Sequence, residues 1–191
     1  MIDSTEKIWY NNTIIYKVCF LEYYEMRILG IDPGLATVGW AVLESERGRL
    51  RPVAYGAILT PAHTDIEARL LMIKDDLEEI IKKYSPEEMA IEELFFNTNI
   101  TTGIAVAEAR GVILCTAHSL GVKISEYTPL QVKQAVVGYG KAEKGQVIAM
   151  VTAILKLPKP PKPDDTADAV AIAICHSQCR TSAMGKYFNK R

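Results

Sequence analysis

Four acidic side chains stand in places where an acid needs a reason. Asp32 closes the run Arg27-Ile-Leu-Gly-Ile-Asp32, whose nearly continuous apolar character predicts a central strand buried on both faces. An ionised carboxylate there is costly unless a cation compensates it, although Asp-Pro-Gly is also a common turn and would place an aspartate for purely structural reasons. Glu92 ends a second apolar run, Met89-Ala-Ile-Glu92, and Glu93 faces the other way, so only one of that pair can share a pocket with Asp32. Asp165 and Asp168 are three residues apart at the start of a predicted helix and lie on one of its faces. Acids in a first helical turn commonly cap free N–H groups, and Asp164 can do that job; spacing by itself does not choose Asp165 over Asp164. Asp168, however, lies past the cap, inside the run Ala-Asp-Ala-Val-Ala-Ile-Ala-Ile. Carboxylates from two strand ends and one helix, without histidine or thiolate, make a hard oxygen site suited to Mg²⁺ or Mn²⁺. Two such ions about 3.5 to 4 Å apart activate a water on one side of a phosphodiester and stabilise the departing oxygen on the other. The chemistry this pattern predicts is hydrolysis.

The elements that must position these acids can be read coarsely. Strands are predicted over 27–32, 37–43 and 50–59, joined by short polar turns as an antiparallel meander. Over 64–84, Ile66, Leu70, Ile73, Leu77 and Ile80 recur at threes and fours, with Thr64 or Asp65 as N-cap and Pro86 past the end, which is the pattern of an amphipathic helix. A short strand at 89–92, a helix at 101–120 stopped by Gly121, and a fifth strand at 122–127 follow. Helices are predicted over 131–137, 146–155 and, after the proline-rich stretch 158–163, from Asp164 to about Ser182. The order βββαβαβα predicts an α/β fold, a ribonuclease-H-like mixed five-stranded sheet with helices on both faces.

The chain has 191 residues, 49% hydrophobic and 24% charged, a globular composition that excludes a disordered, collagen-like or low-complexity protein. Its length predicts one main domain, over 26–182. Residues 1–25 hold six of the fifteen aromatics without clean helical or strand periodicity, and read as an added arm or as the product of a mis-assigned start ahead of Met26; residues 183–191 read as a basic flexible tail. No apolar run is long enough to cross a bilayer and no signal peptide is evident, so a cytoplasmic protein is expected, without membrane contact and with Cys19, Cys115, Cys175 and Cys179 reduced. Net charge is −1, yet residues 122–163 carry seven lysines against two acids. Such a stretch is either a solvated face or the footprint of a phosphate backbone, which net charge cannot reveal.

Together, Asp32-Pro-Gly-Leu with Gly39-Trp40, Ala90-Ile-Glu92 followed by Phe95, Gln131-Val-Lys133-Gln-Ala-Val-Val-Gly, Ala142-Glu-Lys144-Gly-Gln-Val and Asp165-Thr-Ala-Asp168-Ala resemble the RuvC Holliday-junction resolvases, over residues 26 to about 182. The resemblance implies a homodimeric, magnesium-dependent endonuclease that resolves four-way DNA junctions by paired symmetric nicks in recombination and repair. It implies that Asp32, Glu92, Asp165 and Asp168 are catalytic acids holding two Mg²⁺ ions, with Mn²⁺ able to substitute. Lys133 and Lys144 match residues near the DNA backbone, Lys141 on the same basic stretch is a further candidate for DNA contact, and Phe95 matches an aromatic that stacks at the open junction centre. The branch-migration proteins RuvA and RuvB come with the family as partners. The resemblance also places the subunit contact on the helix at 101–120, where Gly103, Ala107 and Gly111 form a stripe that could equally pack on its own sheet.

Two other readings compete with this one. An actin-like or sugar-kinase-like phosphotransferase shares a first strand ending in Gly-x-Asp-x-Gly but needs a second lobe for which this chain is too short. A non-catalytic junction-binding protein would not place four acids towards DNA. Cys175-His176-x-x-Cys179 supplies at most half of a tetrahedral metal site, because His176 turns away from the face the two cysteines share.

Overall fold

The computed structural model describes residues 5–10, 13–18, 26–46, 48–94 and 100–181. Two strands near the start, β1 (Thr5–Tyr10) and β2 (Thr13–Val18), pair antiparallel as a separate two-stranded sheet with Tyr10 opposite Thr13. The sequence reading assigned no element here; both segments are rich in β-branched and aromatic residues, which suit a pleated ribbon without the alternation that a one-sided core imposes.

The main sheet contains β3 (Met26–Asp32), β4 (Thr37–Glu46), β5 (Arg49–Leu59), β6 (Glu88–Glu92) and β7 (Lys123–Tyr127) in the order β5-β4-β3-β6-β7. The first three form the expected antiparallel meander, and β6 and β7 are added parallel to β3, making the sheet mixed. Among the described residues five helices cover it: α1 (Ile66–Tyr84), α2 (Ile100–Ser119), α3 (Pro129–Val137), α4 (Lys144–Ile154) and α5 (Asp164–Thr181).

Successive residues of β3 serve opposite cores, as strand geometry requires. Ile28 joins Ala41, Leu43 and Ala90 under α3, α4 and the alanine-rich α5, whereas Leu29 and Ile31 join Val38, Val42, Met89 and Ile91 under α1 and α2. Helices therefore lie on both faces, as the α/β reading expects. Two helix starts, those of α3 and α4, differ from those expected, while that of α1 agrees. Asp65 is the N-cap of α1 but makes no side-chain capping bond. The third helix begins at Pro129 because Thr128 and Gln131 form a reciprocal capping box, and the fourth begins at Lys144 because Glu143 and Gln146 do the same.

The C-terminal part of α5 is tied to the sheet by a polar chain that is buried at His176 and Tyr127 and exposed at Arg180. His176 Nε2 donates to Glu88 Oε2 at 2.7 Å, its Nδ1 pairs with the Tyr127 hydroxyl at 2.9 Å, and Arg180 Nη1 donates to Glu88 Oε1 at 2.7 Å. These bonds hold the Glu88 carboxyl below its ordinary range, the hydrogen bond from His176 contributing most.

At the other end, α5 lies unusually close to the strands. A Cβ on Gly39 would stand 2.0 Å from the Asp165 carbonyl oxygen, and one on Gly30 would stand 2.2 Å from that of Ala169. Thr166 is fully buried in this contact, and its Oγ1 has no hydrogen-bond partner. Gly39→Ala is expected to cost about 2 kcal/mol or more, since backbone must move to admit the methyl. Thr166→Val keeps the shape and removes the unpaired hydroxyl, and is expected to be neutral or to stabilise by up to about 1 kcal/mol. Urea unfolding of the two variants checks both signs.

Candidate active site

Asp32 and Glu92 are the last residues of neighbouring parallel strands. The register pairs Ile31 with Ile91, so the two carboxyls come out side by side at one edge of the sheet. Alternation sets their direction. Ile28 and Ala90 belong to the core under α5, so Asp32 and Glu92, an even number of residues further on, point to that same side. The start of α5 is held over them, because Asp32 pairs across the ladder with Gly39 and it is over Gly39 that the Asp165 backbone rests. One turn later Asp168 projects into a cleft of about 280 Å³ shared with Glu92, Lys133 and Lys144, with Val132 and Val147 in its walls.

The electrostatics follow from this crowding. Burial, and after it the charges of Asp168, Glu92 and Asp165, push the Asp32 carboxyl up to about 8. Glu92 is pushed up to about 7 by burial and by Asp168, against the charge of Lys133. Asp168 is also raised by burial, although Lys144 opposes the shift. The Lys144 ammonium lies 3.0 Å from Asp168 Oδ2 and 3.7 Å from Asp164 Oδ2, and although burial works against its charge, these acids raise it above the ordinary lysine value. Among the described residues, no three His, Cys, Asp or Glu side chains are gathered tightly enough to hold an ion as they stand. The donor set nevertheless fits a hard divalent cation: every donor is a carboxylate oxygen, and the charges of Asp168, Glu92 and Asp165 raise the proton affinity of Asp32.

The structure thus brings together Asp32, Glu92, Asp165, Asp168, Lys133 and Lys144. Lys141 is exposed on the turn between α3 and α4, and Phe95 lies outside the described residues. Cys175 hydrogen-bonds Cys179, and His176 is committed to Glu88 and Tyr127, which leaves the Cys-His-Cys reading without its third donor. One residue escaped the sequence reading. Arg110 of α2 donates from Nε to the Glu92 carbonyl at 3.3 Å and pairs through Nη2 with Glu126 of β7, so it clamps the strand end that carries Glu92. The available signal was a single arginine in the stretch Ile104-Ala-Val-Ala-Glu-Ala-Arg-Gly-Val-Ile113, which apart from Glu108 is small and apolar.

The family model described as crossover junction endodeoxyribonuclease RuvC matches residues 28–176. A protein of that name from Syntrophomonas wolfei is 54% identical over 151 residues, which is 79% of this chain and 88% of that protein. Another from Caldanaerobacter subterraneus is 55% identical over 159 residues, covering 83% of this chain and 95% of the relative. Among solved structures, T. thermophilus RuvC in complex with Holliday junction substrate superposes with a TM-score of 0.75 at 35% identity, covering 80% of this chain and 93% of that one. The yeast mitochondrial Holliday junction resolvase Ydc2 shares the fold with a TM-score of 0.62 at 13% identity, covering 82% and 79%.

Raised carboxyl values carry a sign for stability. A group whose proton affinity is higher in the folded chain favours the fold fully below its ordinary value and loses that contribution as pH rises through the raised one. For Asp32 the window runs from 3.8 to about 8, and for Glu92 from 4.5 to about 7. With a chelator present, Asp32→Asn is therefore expected to melt above the unsubstituted protein at pH 8, by about 2–4 °C for each kcal/mol relieved. The gap should narrow towards pH 5, and thermal melts at the two pH values check it.

Proposed function

The chain belongs to the RuvC family of crossover junction endodeoxyribonucleases, and from that premise we propose that it resolves four-way DNA junctions by paired symmetric nicks, using Asp32, Glu92, Asp165 and Asp168 to hold two Mg²⁺ ions, for which Mn²⁺ can substitute. The observation that carries this reading is the meeting of acids from β3, β6 and α5 beside a cleft edged by Lys133 and Lys144. The absence of nitrogen and sulfur donors from the cluster favours Mg²⁺ or Mn²⁺ over softer metals. Ions held there would supply activation of a water and neutralisation of the departing oxygen. The chain's own contribution is to place four carboxylates on rigid element ends and to draw the phosphate backbone towards them with Lys133, Lys144 and Lys141. Phe95, three residues beyond Glu92, is assigned to stacking at the junction centre on family grounds.

A homodimer belongs to the same proposal. Gly111 of α2 is exposed, and a Cβ there would meet nothing within 4 Å, which supports a stripe turned away from its own sheet. Ile104 on the same helix is exposed as well. A twofold enzyme suits two cuts across a twofold junction. RuvA and RuvB are proposed as partners from family membership alone, and residues 1–25, which precede the matched segment, as an extension to the nuclease domain. No helix among the described residues is long and apolar enough to cross a membrane, and the cytoplasm is the proposed location because the substrate is DNA.

The direct test is cleavage of a synthetic four-way junction and a matched linear duplex, with Mg²⁺ added or withheld. Paired nicks in the junction alone, and only with Mg²⁺, are expected; equal cutting of the duplex would overturn the reading. Asp32→Asn should lower cleavage by two orders of magnitude or more, since even an outer partner of a metal ligand is worth about 10–100-fold. Its junction affinity should stay within about twofold, and a lost affinity would make Asp32 structural. Lys133→Ala and Lys144→Ala should each weaken binding and reduce the slope of log affinity against log salt by about 1, as read by titrations over a salt series.

A further inference from the structure

We propose that Lys144 is a displaceable internal counter-ion: it occupies Asp168 in the free enzyme and leaves when a DNA phosphate draws the ammonium away, so that junction binding and divalent-ion loading reinforce each other. The inference rests on the reading that Asp168 is a metal ligand and goes beyond it by coupling that ligand to the substrate.

Lys144 Nζ stands 3.0 Å from Asp168 Oδ2, in hydrogen-bond contact with the oxygen that a hard cation would need at about 2.1 Å. Two cations cannot share that position at such distances without strong repulsion. One must give way.

The pair is built to part. Lys144 is the first residue of α4, whose start is pinned by the Glu143–Gln146 capping box and whose Val147 and Val151 are buried in the core with α5. The backbone root of Lys144 is therefore held, while the side chain is 51% exposed and its partner Asp168 28% exposed. A solvent-reached lysine–carboxylate pair is weak and easily exchanged for another anion of equal charge. A phosphate entering the cleft offers that exchange: Lys133 and Lys144 edge the same space, so a strand drawn in by one passes the other. Once Lys144 has turned to the phosphate, Asp168 presents its full charge to an incoming divalent ion. Linkage makes the effect reciprocal: an ion already seated on Asp168 frees Lys144 for DNA.

Lys133 is the internal contrast. It lies in the same cleft and its charge acts on Glu92, but its ammonium is not paired with Asp168. Removing it lowers the local positive charge equally without clearing the Asp168 oxygen.

The test is Mn²⁺ binding by isothermal calorimetry on the full chain, without DNA and then on a four-way junction whose central linkages are non-hydrolysable methylenephosphonates. Lys144→Met is expected to bind Mn²⁺ at least about 5-fold more tightly than the unsubstituted protein without DNA, the lower end of coupling between linked sites. Lys133→Met should change the affinity less, and Lys144→Arg should restore the weaker binding. On the junction the unsubstituted protein should gain affinity for Mn²⁺ by a similar factor, and Lys144→Met should not. Equal or weaker Mn²⁺ binding by Lys144→Met, an equal gain from Lys133→Met, or a junction-induced gain that persists in Lys144→Met would each overturn the proposal. Asp168→Asn separates the two levels. If it loses Mn²⁺ while Lys144→Met is unchanged, only the displacement idea fails; if it binds Mn²⁺ undiminished, Asp168 is no ligand and both fail. Circular-dichroism melts confirm that the compared variants are folded.

Discussion

A carboxylate at the end of a strand that is covered on both sides has lost much of its water, and the fold supplies other carboxylates as its nearest charged company. That is the situation of Asp32, whose proton affinity rises through burial first and through Asp168, Glu92 and Asp165 after it. The chain has no easy escape from this cost. β3 is the middle strand of five, Asp32 is held in register with Gly39, and the Asp165 backbone rests on Gly39 too closely for any side chain to intervene. The negative charge is therefore concentrated by backbone packing, and it must be answered by protons, by lysine or by a divalent ion.

The same packing explains the composition of α5. Ala167, Ala169, Ala171 and Ala173 are fully buried, and on this helix small side chains let the axis approach β3 and β4, where Gly30 and Gly39 give the matching room. A larger residue at these points would lift the helix and carry Asp165 and Asp168 away from the strand ends. Stability is spent for that closeness: Thr166 is enclosed with an unpaired hydroxyl, a local cost of about 1–3 kcal/mol that the surrounding apolar contact offsets.

Much of this was legible in the sequence, and the reason is periodicity. Asp32 and Glu92 were visible as charges that terminate apolar runs, and Asp168 as a charge inside one, since each breaks a pattern that burial imposes. The meander, the mixed sheet and the helices on both faces followed from the order of those runs. What stayed hidden was tertiary or conditional on partners. The starts of α3 and α4 depend on capping boxes in which Thr128 and Glu143 take reciprocal bonds from residues three further on, a signal that a search for apolar spacing passes over. Arg110 lies 18 residues from Glu92 and reads as a surface arginine until the fold puts it beneath the strand end. The contact of Asp165 with Gly39 joins residues more than a hundred apart, and nothing local announces it.

Bringing a polyanion to a cluster of acids demands positive potential close by, and net charge of −1 hides where it comes from. Pro129 and Lys144, which are the first residues of α3 and α4, both line the cleft, and the first turn of α5 approaches Lys144 through Asp164 at 3.7 Å. The starts of α3, α4 and α5 thus lie about one space, where the positive ends of their helix dipoles add to the potential. Lys133 and Lys144 add full charges to that background from the same helices. The capping boxes that begin α3 and α4 consequently do more than end a helix neatly: they determine where the two lysines emerge relative to Glu92 and Asp168. Lys144 on the cleft wall stands 3.0 Å from Asp168 of α5, a separation over which salt screens little, so a phosphate held by the lysines is presented to the acids.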